Sequence, residues 1–150
     1  RQENTDDEKR LRSIFSNLDM INEKIRVVFP LHPRTKAQLK KFNIETKIEC
    51  IEPLGYLSML SILKSAKIVF TDSGGLQKES FFAKKKCIIV RNETEWTELT
   101  DIGVNHLSNP EDLFDTFEKV KKIKCNFAYN FFGDGNASKT IVDSIIRFFD

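Results

Sequence analysis

Apolar positions along this chain keep two different periods, and the periods alternate. In TDDEKRLRSIFSNLDMIN, residues 5–22, Leu11, Ile14, Leu18 and Ile21 recur at the spacing of one helix face. Thr5 followed by Glu8 reads as a capping box opening that helix. KIRVVFPLH is a short apolar run with β-branched residues, which predicts a buried strand ended by Pro30 and Pro33. RTKAQLKKFN reads as a short helix with a basic outer face, and KIECIE as a strand stopped by Pro53 and Gly55. YLSMLSILKSA predicts a helix with Tyr56, Leu60 and Leu63 on one side. KIVFT then predicts a strand, GGLQKESFFAK a helix and KCIIVR another strand. WTELTDIG reads as a short helix ended by Gly103, and VNHLS as a short strand. Pro110 stands where a helix start tolerates proline and opens EDLFDTFEKVKKI. Residues 124–136 are irregular and aromatic; SKTIVDSIIRFF then predicts a last helix with Ile141, Ile145 and Phe148 in register.

Strands alternate with helices, and that alternation predicts parallel pairing with helices on both faces. VVF, IVF and CIIV are continuously apolar, as strands covered on both sides should be. The fold class expected is α/β, a Rossmann-like doubly wound parallel sheet occupying residues 1–150 as a single domain. In such sheets ligands lie beyond the carboxyl ends of the strands. Three loops are thereby singled out, after Phe29, after Phe70 and after Val90.

Composition narrows the class. A chain of 150 residues with 40% hydrophobic and 31% charged residues suits one folded domain able to bury a core. A net charge of +2, with basic residues spread out, gives no case for nucleic acid. No apolar run approaches a membrane span. Cys50, Cys87 and Cys125 are odd in number and widely spaced, which argues against a disulfide framework or a zinc site. Cys50 and Cys87 lie in apolar runs and read as small core residues; a reducing, cytoplasmic setting fits them best. No metal site or cofactor is expected. The first residue is Arg1 rather than Met, which reads as part of a longer protein.

The loop after the third strand carries the chemistry. Asp72-Ser73-Gly74-Gly75 falls where that strand hands over to a helix. Free N–H groups and the helix dipole favour an anion there, and glycines let a phosphate approach the backbone. Ser73 either caps the helix or donates to a phosphate oxygen. Glu79, about a turn and a half further on, is placed to accept from a ribose diol. The motif is neither GxxxxGK[ST] nor GxGxxG, and taken alone it reads as a capped turn. The two other loops change that reading. PLHPRT puts His32 and Arg34 past the first strand; RNETEWTE puts Arg91, Thr94 and Glu95 past the fourth, with Thr94 or Glu95 starting the next helix. Three polar loops converging on one edge point to a nucleotide site.

These segments together resemble the carboxyl-terminal half of the non-hydrolysing UDP-N-acetylglucosamine 2-epimerases. TDSGGLQKE matches that family's TDSGGxQEE block, and RNETEWTE its RxxTE segment. PLGYLSM matches PLGYxxF, GDGNASKTI matches GDGxAxxxI, and the opening RQEN matches HRxEN after its histidine. The matches run the length of the chain in family order. The resemblance implies two Rossmann-like domains facing across a cleft, as in GT-B glycosyltransferases, with this chain as the UDP-binding half and an amino-terminal domain missing. It implies that Ser73, Gly74 and Gly75 hold the diphosphate and Glu79 the ribose. It places residues 53–59, Met59 among them, around the uracil, and Arg1 near the diphosphate. His32, Arg91, Thr94 and Glu95 line the cleft. Glu3 matches an acid of the family without an assigned role. The implied reaction inverts C2 of the sugar through elimination of UDP to a 2-acetamidoglucal and re-addition, with most acid–base groups in the other domain. The chain alone is then expected to bind UDP weakly and not to epimerise. The family also allows a homodimer. Lys78, Trp96 and Met59 depart from the usual pattern; Lys78 is expected to point to solvent or to compensate charge. Other readings remain open: a hydrolysing 2-epimerase, a GT-B glycosyltransferase nucleotide domain, or a non-enzymatic nucleotide-sugar-binding module.

Overall fold

The computed structural model describes residues 1–149 and places five strands and eight α-helices there; strands and helices alternate from β1 to α7, and α8 follows α7 directly. In chain order the elements are α1 (Gln2–Asp6), α2 (Glu8–Asn22), β1 (Val28–Pro30), α3 (Pro33–Lys41), β2 (Glu49–Ile51), α4 (Tyr56–Ser65) and β3 (Ile68–Thr71). Then follow α5 (Gly74–Phe82), β4 (Lys86–Ile89), α6 (Thr97–Asp101), β5 (Asn105–Leu107), a 3-10 turn (Pro110–Asp112), α7 (Leu113–Val120) and α8 (Ala137–Phe149).

All strand pairs are parallel. β1 pairs with β2, with Val28 opposite Glu49 and Phe29 opposite Cys50; β4 pairs with β3 on one side and β5 on the other. The ladder is in two parts, β1–β2 and β3–β4–β5, where one continuous sheet was expected. β1 is only three residues long and ends on Pro30, which has no N–H to donate. The two parts nevertheless share one core. Phe29 of β1, Phe70 of β3, and Ile88 and Val90 at β4 pack with Leu11, Phe15, Leu18 and Ile21 of α2 and Phe117 of α7. On the opposite face Val69, Cys87 and Ile89 pack with Leu63 of α4 and Leu76 of α5. Successive side chains along β3 and β4 thus feed two cores, so the sheet is covered on both sides as the apolar runs predict. Each fully buried aliphatic or aromatic side chain contributes about 1.5–3 kcal/mol, so the apolar face of α2 is a major part of what holds the domain together.

Several local expectations fail for identifiable reasons. The cap of α2 is Asp7, whose Oδ1 accepts from Arg10 N at 3.1 Å; Thr5 lies inside α1 and bonds the Arg1 carbonyl. Asp7 also has extended backbone, as a cap requires, and a carboxylate outcompetes a hydroxyl for that place. Cys50 is exposed because β2 is an edge strand, while Cys87, in central β4, is fully buried. That burial pushes the Cys87 thiol up to about 12. Tyr56 is 64% exposed and leaves the α4 stripe to Leu60 and Leu63. Trp96, rather than Thr94 or Glu95, caps α6. The aromatic segment after Lys124 partly folds back: Phe127 and Phe132 pack with Phe81, Leu99 and Val104. No helix among the described residues is long and apolar enough to cross a membrane.

Candidate functional site

β3 ends at Thr71 and α5 begins at Gly74, so Asp72 and Ser73 form the whole connection. Ser73 N donates to Thr71 Oγ1 at 3.0 Å, which turns the chain sharply off the strand. Ser73 occupies the cap position with extended backbone, yet its hydroxyl makes no capping bond and is exposed. The hydroxyl has no hydrogen-bond partner among the described residues. The first α-helical bond is Gln77 N to Ser73 O, 3.4 Å. The N–H groups of Gly74, Gly75 and Leu76 precede it, in the turn where an α-helix offers donors without internal partners.

The loop after β4 wraps this turn. Trp96 Nε1 donates to the Gly74 carbonyl at 3.0 Å, and Thr94 Oγ1 donates to Gln77 Oε1 at 2.6 Å. Glu95 comes so close to Gly74 that a Cβ there would lie 1.9 Å from Glu95 Oε1. Glycine at 74 leaves room for that approach, and a side chain there would oblige the Glu95 carboxylate to shift. Glu95 is held in turn by Arg91 Nη1 at 2.7 Å, with Arg1 Nη2 at 3.6 Å. The Glu95 carboxyl is kept below its usual range by its own backbone N–H and by the Arg91 guanidinium. Arg91 itself is almost wholly buried.

α1 forms the third side. Asn4 is buried and donates to Asp72 Oδ2 at 3.1 Å and to the Val90 carbonyl at 2.9 Å, tying both loops together. Arg10 holds Asn4 Oδ1 through Nε and Nη2, and its Nη2 also lies 3.2 Å from Glu3 Oε1. His32 caps α3 through Nδ1, which accepts from Arg34 N at 3.2 Å. Arg34 reaches Asp6 of α1 at 2.6 Å, so α1 links His32's loop to the other two. The Asp6 carboxyl is held low first by that bond to Arg34.

The structure thus brings Arg1, Ser73, Gly74, Gly75, Arg91, Thr94 and Glu95 into one contiguous network. Glu3 and His32 stand on its α1 side. Glu79 and Met59 are half-buried on α5 and α4, and neither side chain hydrogen-bonds into the network among the described residues. Asn4, Asp72 and Gln77 are structural members that sequence reasoning gave no role. Asn4 lies inside the quoted RQEN motif, which was the available signal; nothing in the local pattern marks Gln77 as buried. Lys78 does not point to solvent. Its ammonium sits 4.5 Å from the Trp96 ring centroid and 4.7 Å from that of Phe132.

The sequence profile of the UDP-N-acetylglucosamine 2-epimerase family matches residues 1–146. This chain belongs to that family. It is 40% identical over 151 aligned residues to a Methanococcus maripaludis UDP-N-acetylglucosamine 2-epimerase homolog, covering 95% of this chain and 42% of that protein. It is 45% identical over 108 residues to the Pseudomonas aeruginosa UDP-2,3-diacetamido-2,3-dideoxy-D-glucuronate 2-epimerase, covering 71% of this chain and 30% of that one. Among solved structures, the Methanocaldococcus jannaschii UDP-GlcNAc 2-epimerase in complex with UDP-GlcNAc and UDP superposes with a TM-score of 0.87 at 38% identity. That match covers 98% of this chain and 43% of the other. The chain therefore spans less than half the length of the relatives it matches, and its fold is that of the corresponding Rossmann-like portion of those enzymes.

Proposed function

We propose that this chain is the UDP-holding portion of a UDP-N-acetylglucosamine 2-epimerase, acting in a reducing cytoplasm with a second domain that closes the cleft. The observation that carries the reading is the free head of α5. Three N–H groups precede the first helical bond at the carboxyl end of β3, and the Ser73 hydroxyl beside them makes no capping bond. Ser73, Gly74 and Gly75 seat the diphosphate. Glu79 accepts from the ribose hydroxyls, and the segment ending at Met59 frames the uracil. Arg1 stands beside the diphosphate; His32, Arg91, Thr94 and Glu95 line the cleft wall. Glu3 is paired with Arg10 and holds the α1 side of that wall.

The charges explain why backbone donors matter here. The Arg1 and Arg91 guanidiniums both lie against Glu95, and Asp72 adds a second carboxylate to the same network. The side chains alone give no net positive field, so attraction for the diphosphate comes from the helix head and its N–H groups. Such preorganised donors stabilise UDP as it leaves the sugar with its charge developing, and keep it beside the product for return. Acid–base groups that move the C2 proton belong to the second domain, so this chain alone binds UDP without epimerising. The P. aeruginosa match favours a second reading of the sugar, a 2,3-diacetamido uronate, with the same UDP seat.

Calorimetric titration tests this. UDP should bind saturably and more tightly than ADP or UMP. Ser73→Ala and Glu79→Ala should each weaken it several-fold, on the scale of one hydrogen bond. A folded wild-type chain that takes up no UDP, or binds ADP equally well, overturns the reading.

A further inference from the structure

Two hydrogen bonds bolt the first turn of α5 to the loop after β4, and together they close a ring. Gln77 Oε1 receives the Thr94 hydroxyl at 2.6 Å; Thr94 Oγ1 receives Trp96 N at 3.1 Å; Trp96 Nε1 donates to the Gly74 carbonyl at 3.0 Å. Gly74 and Gln77 are three apart, one helical turn, so the ring fixes α5 at two points along the same face. One attachment would let the helix head pivot; two set its angle. Of the ring's members Gln77 is wholly buried, so its side chain does not reach the proposed diphosphate. The ring holds the turn whose N–H groups do.

Gln77 bears a cost for this place. It is fully buried, and its Nε2 has no partner; Asn105 Oδ1, on the side chain whose Nδ2 lies 3.5 Å from Gln77 Oε1, is also unpaired. An unsatisfied buried amide costs on the order of 1–3 kcal/mol. A leucine of similar size would fill the same volume but strand the Thr94 hydroxyl and the buried Asn105 amide, so packing alone does not account for the glutamine. The bond to Thr94 does.

We infer that Gln77, with Thr94 as its partner, is a positioning residue that sets the aim of the Gly74–Leu76 N–H groups at the UDP diphosphate. This rests on the reading that the head of α5 seats UDP. The residue acts through backbone it does not itself expose, and its removal lowers affinity without removing any group that touches UDP.

The test measures UDP affinity by calorimetry and unfolding by heat for the wild-type chain, Gln77→Leu, Thr94→Val, their double variant and Thr94→Ser. Gln77→Leu should fold, with a midpoint lowered modestly by the stranded Thr94 and Asn105 groups, and bind UDP about tenfold more weakly, the worth of one preorganised hydrogen bond. Thr94→Val should match it. The double variant should be no weaker than either single, because a ring opened once is open. Thr94→Ser, which keeps the hydroxyl, should retain wild-type affinity. A folded Gln77→Leu with wild-type affinity overturns the inference, as do single effects that multiply in the double variant. Should Gln77→Leu fail to fold, equal affinities for Thr94→Val and Thr94→Ser overturn it and a loss confined to valine supports it. A wild-type chain that does not bind UDP removes the function reading and this inference together. Wild-type binding with unaffected variants removes this inference alone.

Discussion

Gly74 is where the loop after β4 closes on the head of α5. Its missing side chain lets Glu95 approach, and Glu95 is anchored by Arg91, so the carboxylate cannot swing aside without leaving a nearly buried guanidinium unpaired. Gly74→Ala should therefore lower the unfolding free energy by about 1–3 kcal/mol, as overpacking does, and weaken UDP binding. In a Glu95→Ala background the same substitution should cost much less, since the atom it strikes is gone. Equal costs in both backgrounds, measured by urea unfolding, would show that the contact is not what requires glycine. At this scale the sequence was partly legible. A serine and two glycines between an apolar run and a helix mark the tight strand-to-helix turn that the structure has there. Gln77 declared nothing. Its burial comes from the loop after β4, 17 residues downstream of it at Thr94, and no local pattern encodes such a partner.

Helices and strands were legible at nearly every position, because both periods are strong and proline or glycine stands at most boundaries. The misreading of the α2 cap is instructive. Thr5 and Glu8 satisfy a capping-box spacing, but residues 2–6 form a helix of their own, packed against α2 and α3. The chain breaks at Asp7, so the helix opens there. Asp7→Ala should cost about 1 kcal/mol of stability, the usual worth of a cap, whereas a cap at Thr5 would leave Asp7→Ala near neutral. Chemical denaturation with an unchanged slope would read the difference directly. The break between the β1–β2 and β3–β4–β5 ladders was not legible for a related reason. Strand pairing depends on partners far apart in sequence, and three-residue strands leave little pattern from which to read them.

At the scale of the molecule, α8 stands apart. It has the apolar stripe the sequence predicts, yet none of its residues is buried. Ile141, Ile145 and Phe148 are 59%, 52% and 82% exposed. A periodic stripe says that a face is meant to be covered; it does not say by what, and here no surface within residues 1–149 covers it. The segment before it behaves differently. Phe127 and Phe132 find Phe81 and Trp96, and Lys78 lies over the resulting aromatic shelf, so half of that aromatic run is absorbed into the domain. Since α8 buries nothing, replacing Ile141 and Ile145 together by Gln should leave the unfolding free energy within about 0.5 kcal/mol of wild type. Glutamine is close to isoleucine in helix propensity, so the helix itself is not penalised. What should change is association. An exposed stripe on a chain of net charge only +2 has little electrostatic repulsion to keep copies apart. Sedimentation should show concentration-dependent self-association of the wild-type chain that the double variant abolishes. A loss of more than about 2 kcal/mol would instead mark these residues as core, at the cost expected for buried positions, and place α8 against the sheet layers rather than outside them.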